Sequence, residues 1–211
     1  MRTDDLIAQL SRQPVRAPFA QGRVYAAVGV AILLCTAAFL GFAGPRPDLA
    51  SALLAPVTAA KTLLPAVVFV VSLRAAVVLA RPGRDVRTVL RWLALPAAVA
   101  ALLWVWAFAA LAPEQRFRDV GAFSLSQCVG LISLLASGPV LVLLAALRDG
   151  ASVRPGFSGF VAGLAAGSGA TAGYSLFCGQ DNPLFFVTWY GFAILLVSGL
   201  GALAGARLLR W

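Results

Sequence analysis

Six stretches of the chain are continuously apolar and about 20 residues long, the length at which a helix crosses the hydrocarbon core of a bilayer. They cover residues 24–44, 62–80, 89–112, 122–147, 157–177 and 184–206. None alternates apolar and polar positions as a barrel strand does, and a segment in lipid must satisfy its own backbone, so each run predicts a helix. The predicted fold is therefore all-α: a polytopic six-transmembrane-helix bundle with short loops, residues 24–211, preceded by a polar segment, residues 1–23. Pro65, Pro96 and Pro139 fall inside runs and predict kinks. Gly159, Gly163 and Gly167, and again Gly201 and Gly205, recur every four residues. That spacing lets helices approach closely, and packing within the bundle is the favoured use of it, with a dimer seam as the alternative.

Composition agrees with this pattern. Of 211 residues, 61% are apolar and 12% charged, against about 45–50% and about 25% in a soluble domain. The mean hydropathy is +0.89. In a soluble protein a net charge of +9 with no histidine would point to nucleic acid. Here the bases lie between apolar runs, so they read as topology determinants beside anionic lipid, and no direct nucleic-acid contact is expected. The first 23 residues are polar and lack the apolar centre of a cleaved leader, so the N-terminus is expected to be retained.

Counting bases by side gives the bundle a direction. One side receives Arg2, Arg12, Arg16, Arg23, Arg81, Arg84, Arg87, Arg91, Arg148, Arg154, Arg207 and Arg210; the other has Arg46, Lys61, Arg116 and Arg118. The excess places both termini in the cytoplasm. Arg74, about two turns inside the second run, is expected to snorkel to the cytoplasmic face. Trp104, Trp106, Trp189 and Tyr190 toward the outer half, and Tyr25, Trp92 and Trp211 toward the inner, fit interfacial belts.

The chemistry open to such a chain is narrow. Its acids, Asp4, Asp5, Asp48, Asp85, Glu114, Asp119, Asp149 and Asp181, all fall in termini or connectors, whereas proton pathways place ionisable groups inside the membrane. There is no histidine, no phosphate-cradling glycine loop and no nucleophile motif. No enzyme activity, cofactor or resident metal is expected. Cys35 is mid-span, where a thiol is ordinarily inert. Cys128 heads the fourth run and Cys178 follows the fifth, so the topology brings both to one, periplasmic, face. A disulfide is accessible there if the Cα atoms come within about 7 Å. A static staple, two unrelated small residues and a thiol sensor all remain open on this reading. At the N-terminus Thr3 can cap a helix whose first turn carries Asp4 and Asp5, while Leu6, Ile7 and Leu10 share a face and Pro14 ends it. So short a helix is stable only on docking, so this segment is a candidate partner-binding element or a free tail.

Several short stretches carry a resemblance: Arg-Thr-Asp-Asp-Leu-Ile at residues 2–7, Arg-Pro-Asp-Leu at 46–49, the cysteine heading the fourth run, Leu-Phe-Cys at 176–178, Asp-Asn-Pro-Leu at 181–184, Trp189, and Arg-Leu-Leu-Arg-Trp at 207–211. Together they resemble the NrsF (negative regulator of sigma F) family of bacterial membrane anti-sigma factors over essentially the whole chain. The resemblance implies that the cytoplasmic N-terminus, with Asp4 and Asp5 in the matching segment, holds an extracytoplasmic-function sigma factor. It also implies that Cys128 and Cys178 match a cysteine pair implicated in responses to oxidants or heavy metals. Where the family pattern has histidines, this chain has Phe177 and Tyr190, which weakens a metal-binding version of sensing.

The expectation is thus a membrane anti-sigma factor that releases its partner when Cys128 and Cys178 change state. The alternatives are a small-molecule transporter or channel, against which the lack of intramembrane acids counts, and a membrane thiol oxidoreductase, which would carry the Cys-x-x-Cys pair absent here. The oligomeric state is left open.

Overall fold

Apolar runs punctuated by proline and glycine fold into long helices. The computed structural model describes residues 3, 19–81, 85–116 and 122–209. Its long helices are α1 (Gln21–Ala43), α2 (Pro56–Leu79), α3 (Arg87–Ala110), α4 (Ala122–Arg148), α5 (Pro155–Ser175) and α6 (Pro183–Leu208). Short helices Leu49–Leu54 and Pro113–Arg116 lie in connectors, and no strand occurs among the described residues.

Pro56, Pro155 and Pro183 open α2, α5 and α6, where the missing N–H costs nothing because first-turn donors have no partner in the helix. Starting α2 at Pro56, six residues before the expected residue 62, moves Lys61 from a connector into a helix. Pro65 and Pro139 are accommodated within α2 and α4. In α3 a single 3-10 turn, Arg91–Leu93, precedes Pro96. The proline ring crowds the carbonyl four residues back and tightens the backbone there. Gly44 closes α1 at φ +78, a conformation other residues adopt only with strain.

Five helices, Gln21–Ala43, Pro56–Leu79, Arg87–Ala110, Ser126–Arg148 and Pro183–Leu208, are long and apolar enough to cross a membrane. Leu33, Leu34, Phe42, Leu102 and Leu203 stand exposed on their outer faces, an apolar surface that water alone would not stabilise. The helix not among those five, α5, is the most buried. It packs against α6, α2, α4 and α1, and glycine, serine and threonine replace its aliphatic residues. A Cβ on Gly163 would come within 2.7 Å of the Ser198 Cα, and one on Gly205 within 2.6 Å of the Gly159 Cα. The regularly spaced glycines of α5 and α6 therefore meet each other inside the chain. By contrast α3 sits at the periphery, with only Pro96 and Ala107 of Ala94–Ala110 buried.

Two cores divide the bundle lengthwise. Val24, Val28, Leu73, Val77, Leu144 and Leu147 pack at the end where α1 begins and α2 and α4 finish. There the Ala151 N–H donates to the Ala80 carbonyl at 2.8 Å. At the opposite end Cys128, Tyr174, Cys178, Phe186 and Tyr190 form a second core. These are called the arginine end and the cysteine end below.

Candidate functional site

The site is built where the connector after α5 folds back over the heads of α2, α4 and α6. All three cysteines are free thiols. Cys128, on the second turn of α4, is 3% exposed, and Cys178, in the connector, 6%. Both sit in one buried cluster. The Cys128 thiol and the Tyr174 hydroxyl are 3.3 Å apart, and the Tyr190 hydroxyl is buried in the same cluster with no hydrogen-bond partner. The Cys178 N–H donates to the Tyr174 carbonyl at 3.2 Å, which fixes the connector against the last turn of α5. Tyr174 and Tyr190 meet edge to face with ring centroids 6.0 Å apart.

Two cations hold this connector from the other side. Lys61 is fully buried and spends its three donors on the Cys178 carbonyl (2.5 Å), the Gln180 carbonyl (2.8 Å) and the Asp181 carboxylate (3.1 Å). Three acceptors for three N–H groups are what make a buried ammonium tolerable. Arg46 forms two bonds to Asp181 (2.8 and 2.9 Å) and two to Asp48 (2.7 and 2.9 Å), with its backbone N–H on the Leu176 carbonyl at 3.1 Å. Such fork-to-carboxylate pairs are specific in orientation as well as strong. Burial works against an ionised Asp181, but the Arg46 hydrogen bonds and the Lys61 charge outweigh it and hold its carboxyl below the ordinary range. Arg46 does the same to Asp48, and both carboxylates hold the guanidinium more firmly in its charged form. The thiol of Cys178 is likewise held below the usual thiol range, first by its hydrogen bond with Cys128 and then by the Lys61 charge, against the opposing effect of burial.

The two stretches Arg-Pro-Asp-Leu and Asp-Asn-Pro-Leu thereby become halves of one structure. Arg46 joins both aspartates. Asn182 caps α6 by accepting the Leu184 N–H at 3.0 Å, Pro183 occupies the first turn and Leu184 is buried. An apolar cleft of about 280 Å³ between α2, α3 and α6 reaches Tyr190 and the stem of Lys61.

Of the residues singled out in the sequence, Cys128 and Cys178 are brought together. Asp4, Asp5, Leu6, Ile7 and Leu10 lie outside the described residues. Cys35 is half-buried on α1, its sulfur facing Gly138 of α4. Tyr190 is no interfacial anchor: at 4% exposure it belongs to the cysteine core, because its position on α6 turns it toward Tyr174. Trp92 and Trp106 do stand exposed, and Trp104 stacks on Phe108. Arg74 is exposed beside Tyr25 and Arg81. Sequence reasoning gave neither Arg46 nor Lys61 a role in the site: Lys61 was counted only for its charge, and Arg46 for its charge and its place in Arg-Pro-Asp-Leu. One signal was available, since Lys61 is the single lysine of the chain and lies at the margin of an apolar run. Among the described residues no three His, Cys, Asp or Glu side chains gather as a metal-binding group.

Comparison with known proteins covers the entire fold and not the site alone. The family model described as "Negative regulator of sigma F" matches residues 10–211. The "Probable anti-sigma-F factor NrsF" of Azospira oryzae is 33% identical over the full length of both chains. The "Anti-sigma-F factor NrsF" of Caulobacter vibrioides is 29% identical, again over the full length of both. No solved structure matches the chain. The chain that folds Arg46, Lys61 and Asp181 around its paired thiols belongs to the NrsF family of negative regulators of sigma F.

Proposed function

We propose that this chain is a membrane-bound anti-sigma factor, regulatory and not catalytic. Residues 1–23 bind an extracytoplasmic-function sigma factor through Asp4, Asp5, Leu6, Ile7 and Leu10, and residues 24–211 form the membrane domain. In this reading all six long helices span the bacterial inner membrane. Two relatives named as anti-sigma-F factors, similar to this chain over their full lengths, support the role. The arginine count supports cytoplasmic termini, and the packing of α5 against four other helices supports its place inside the bundle.

The observation that carries the sensing half is the meeting of Cys128 and Cys178 in a single buried cluster although 50 residues separate them. Oxidative or heavy-metal stress alters this pair, the connector above it shifts, and the sigma factor is released. Release requires that the sigma factor bind the two states of the bundle differently. With Cys128→Ser and Cys178→Ser, stress-induced transcription by the sigma factor is expected to stay at its uninduced level while sequestration persists; undiminished induction would exclude the pair as sensor. With Asp4→Ala and Asp5→Ala together, co-purification of the sigma factor with the full-length chain is expected to be lost, and retention at wild-type yield would exclude the tail as the binding element.

A further inference from the structure

Lys61 is buried more deeply than an orientation signal requires, and it binds the connector that carries Cys178, not the helix that carries Cys128. Its ammonium binds the carbonyls of Cys178 and Gln180 and the carboxylate of Asp181, so it grips the connector on both sides of Cys178. Lys61 makes no hydrogen bond to Cys128, whose thiol meets the Tyr174 hydroxyl at 3.3 Å. From these contacts we propose that Cys178 is the thiol that reacts first with an electrophile or oxidant, that Lys61 is the positioning residue that selects it, and that Cys128 resolves the product. This rests on the reading of the pair as the sensing site and names the order of events within it.

The charges around Cys178 support the assignment from every element that packs there. From α4 comes the Cys128 thiol, from α5 and α6 the neutral hydroxyls of Tyr174 and Tyr190, and from α2 the Lys61 ammonium. The nearest carboxylate, Asp181, is shared between Lys61 and two bonds from Arg46, with Asp48 on the far side of Arg46, so two cations face two carboxylates beside Cys178. A thiolate, not a thiol, is the nucleophile, and a neighbouring cation favours it. With a peroxide as oxidant, the Cys178 sulfur attacks one oxygen, the O–O bond breaks, an S–O bond forms, and the other oxygen leaves with a proton as water or an alcohol. The Cys128 sulfur then attacks that sulfenic sulfur; the S–S bond forms and hydroxide departs with the Cys128 proton as water. The two sulfurs lose two electrons and the peroxide gains them.

The test is limited alkylation of the full-length chain in lipid nanodiscs with iodoacetamide, mapped peptide by peptide by mass spectrometry across a range of pH. At about pH 7, Cys178 is expected to label about tenfold faster than Cys128, the ratio given by one unit of difference in thiol acidity. Lys61→Met is expected to slow Cys178 about tenfold at that pH and to move its profile up by about one unit, with little difference once both thiols ionise. Lys61→Arg, which keeps the charge, is expected to restore most of the rate. Faster labelling of Cys128 in the unaltered chain would overturn the proposal, as would an unchanged Cys178 profile in Lys61→Met. If Lys61→Met fails to fold, the order in the unaltered chain decides. Labelling order and stress-induced transcription are separate readouts: the expected order with normal induction in Cys178→Ser sinks the sensor and spares the selection. The reverse order with induction lost does the opposite.

Discussion

The two ends of the bundle carry the same kind of charge and use it in opposite ways. At the arginine end Arg23, Arg87, Arg91, Arg148, Arg154 and Arg207 point outward and are exposed. At the cysteine end Arg46 is 8% exposed and Lys61 fully buried, and each holds several acceptors. An exposed cation interacts weakly with any one neighbour and matters through its sum with others, which is the basis of the orientation proposed above. A buried cation must be paired group by group, and once paired it dictates the path of the chain around it. The lesson is that the sign of a residue says little until its burial is known.

The sharpest way to break the comparison is to ask which side each end faces. Ser51→Cys at the cysteine end and Ala151→Cys at the arginine end both fall at exposed positions. In intact cells a membrane-impermeant maleimide is expected to label the first and spare the second; the converse pattern would invert the orientation proposed above.

Next comes Asp181→Ala, which leaves Arg46 and Lys61 facing each other without a shared carboxylate. Removing one partner of a buried pair costs about 3–5 kcal/mol, and because Asp181 is 33% open to solvent the lower end is expected. Thermal unfolding in detergent measures it. Because Asp181 is held below its unfolded range, its contribution is complete above about pH 4, near the unfolded carboxyl value, and fades as pH falls further. The same melting experiment should therefore show a plateau through neutral pH and a drop only below about pH 4.

Gly163→Ala tests the seam that supports both ends. The added Cβ meets the backbone of α6 at 2.7 Å, and backbone cannot rotate aside. A loss of about 1–3 kcal/mol is expected in the same assay, and no loss would mean that α5 and α6 pack elsewhere. Asp48→Ala should cost less, since that carboxylate is 58% exposed and solvent screens its pairing with Arg46. Smallest of all, Arg154→Gln at the arginine end is expected to change stability by under about 0.5 kcal/mol. If it matched Asp181→Ala, the contrast between the two ends would be lost.

Much of the fold was legible because its signals are local and long. Each of the six apolar runs became a helix, with ends moved by a few residues where prolines at the first turn dictated the start. The approach of Cys128 to Cys178 was legible from topology, since helices that alternate in direction return to the same end. What the run pattern did not distinguish was α5 from the other five helices. Its composition is too polar to satisfy the length and apolarity of the other five, and its burial against α6 and α2 explains why. Tyr190 was misread for a related reason: an aromatic near a helix end looks alike in sequence whether it faces lipid or Tyr174.

The sequence by itself determined that the chain is helical, apolar and charged asymmetrically, because periodicity, run length and base count are properties of neighbours along the chain. Only the tertiary structure decided that Arg46, Lys61, Asp48 and Asp181 are one ion cluster, and that its grip falls on the connector bearing Cys178. Such a cluster joins residues as far as 135 positions apart. Coulomb energy and hydrogen bonding depend on separation in space and on the exclusion of water, and neither is written in the order of the residues.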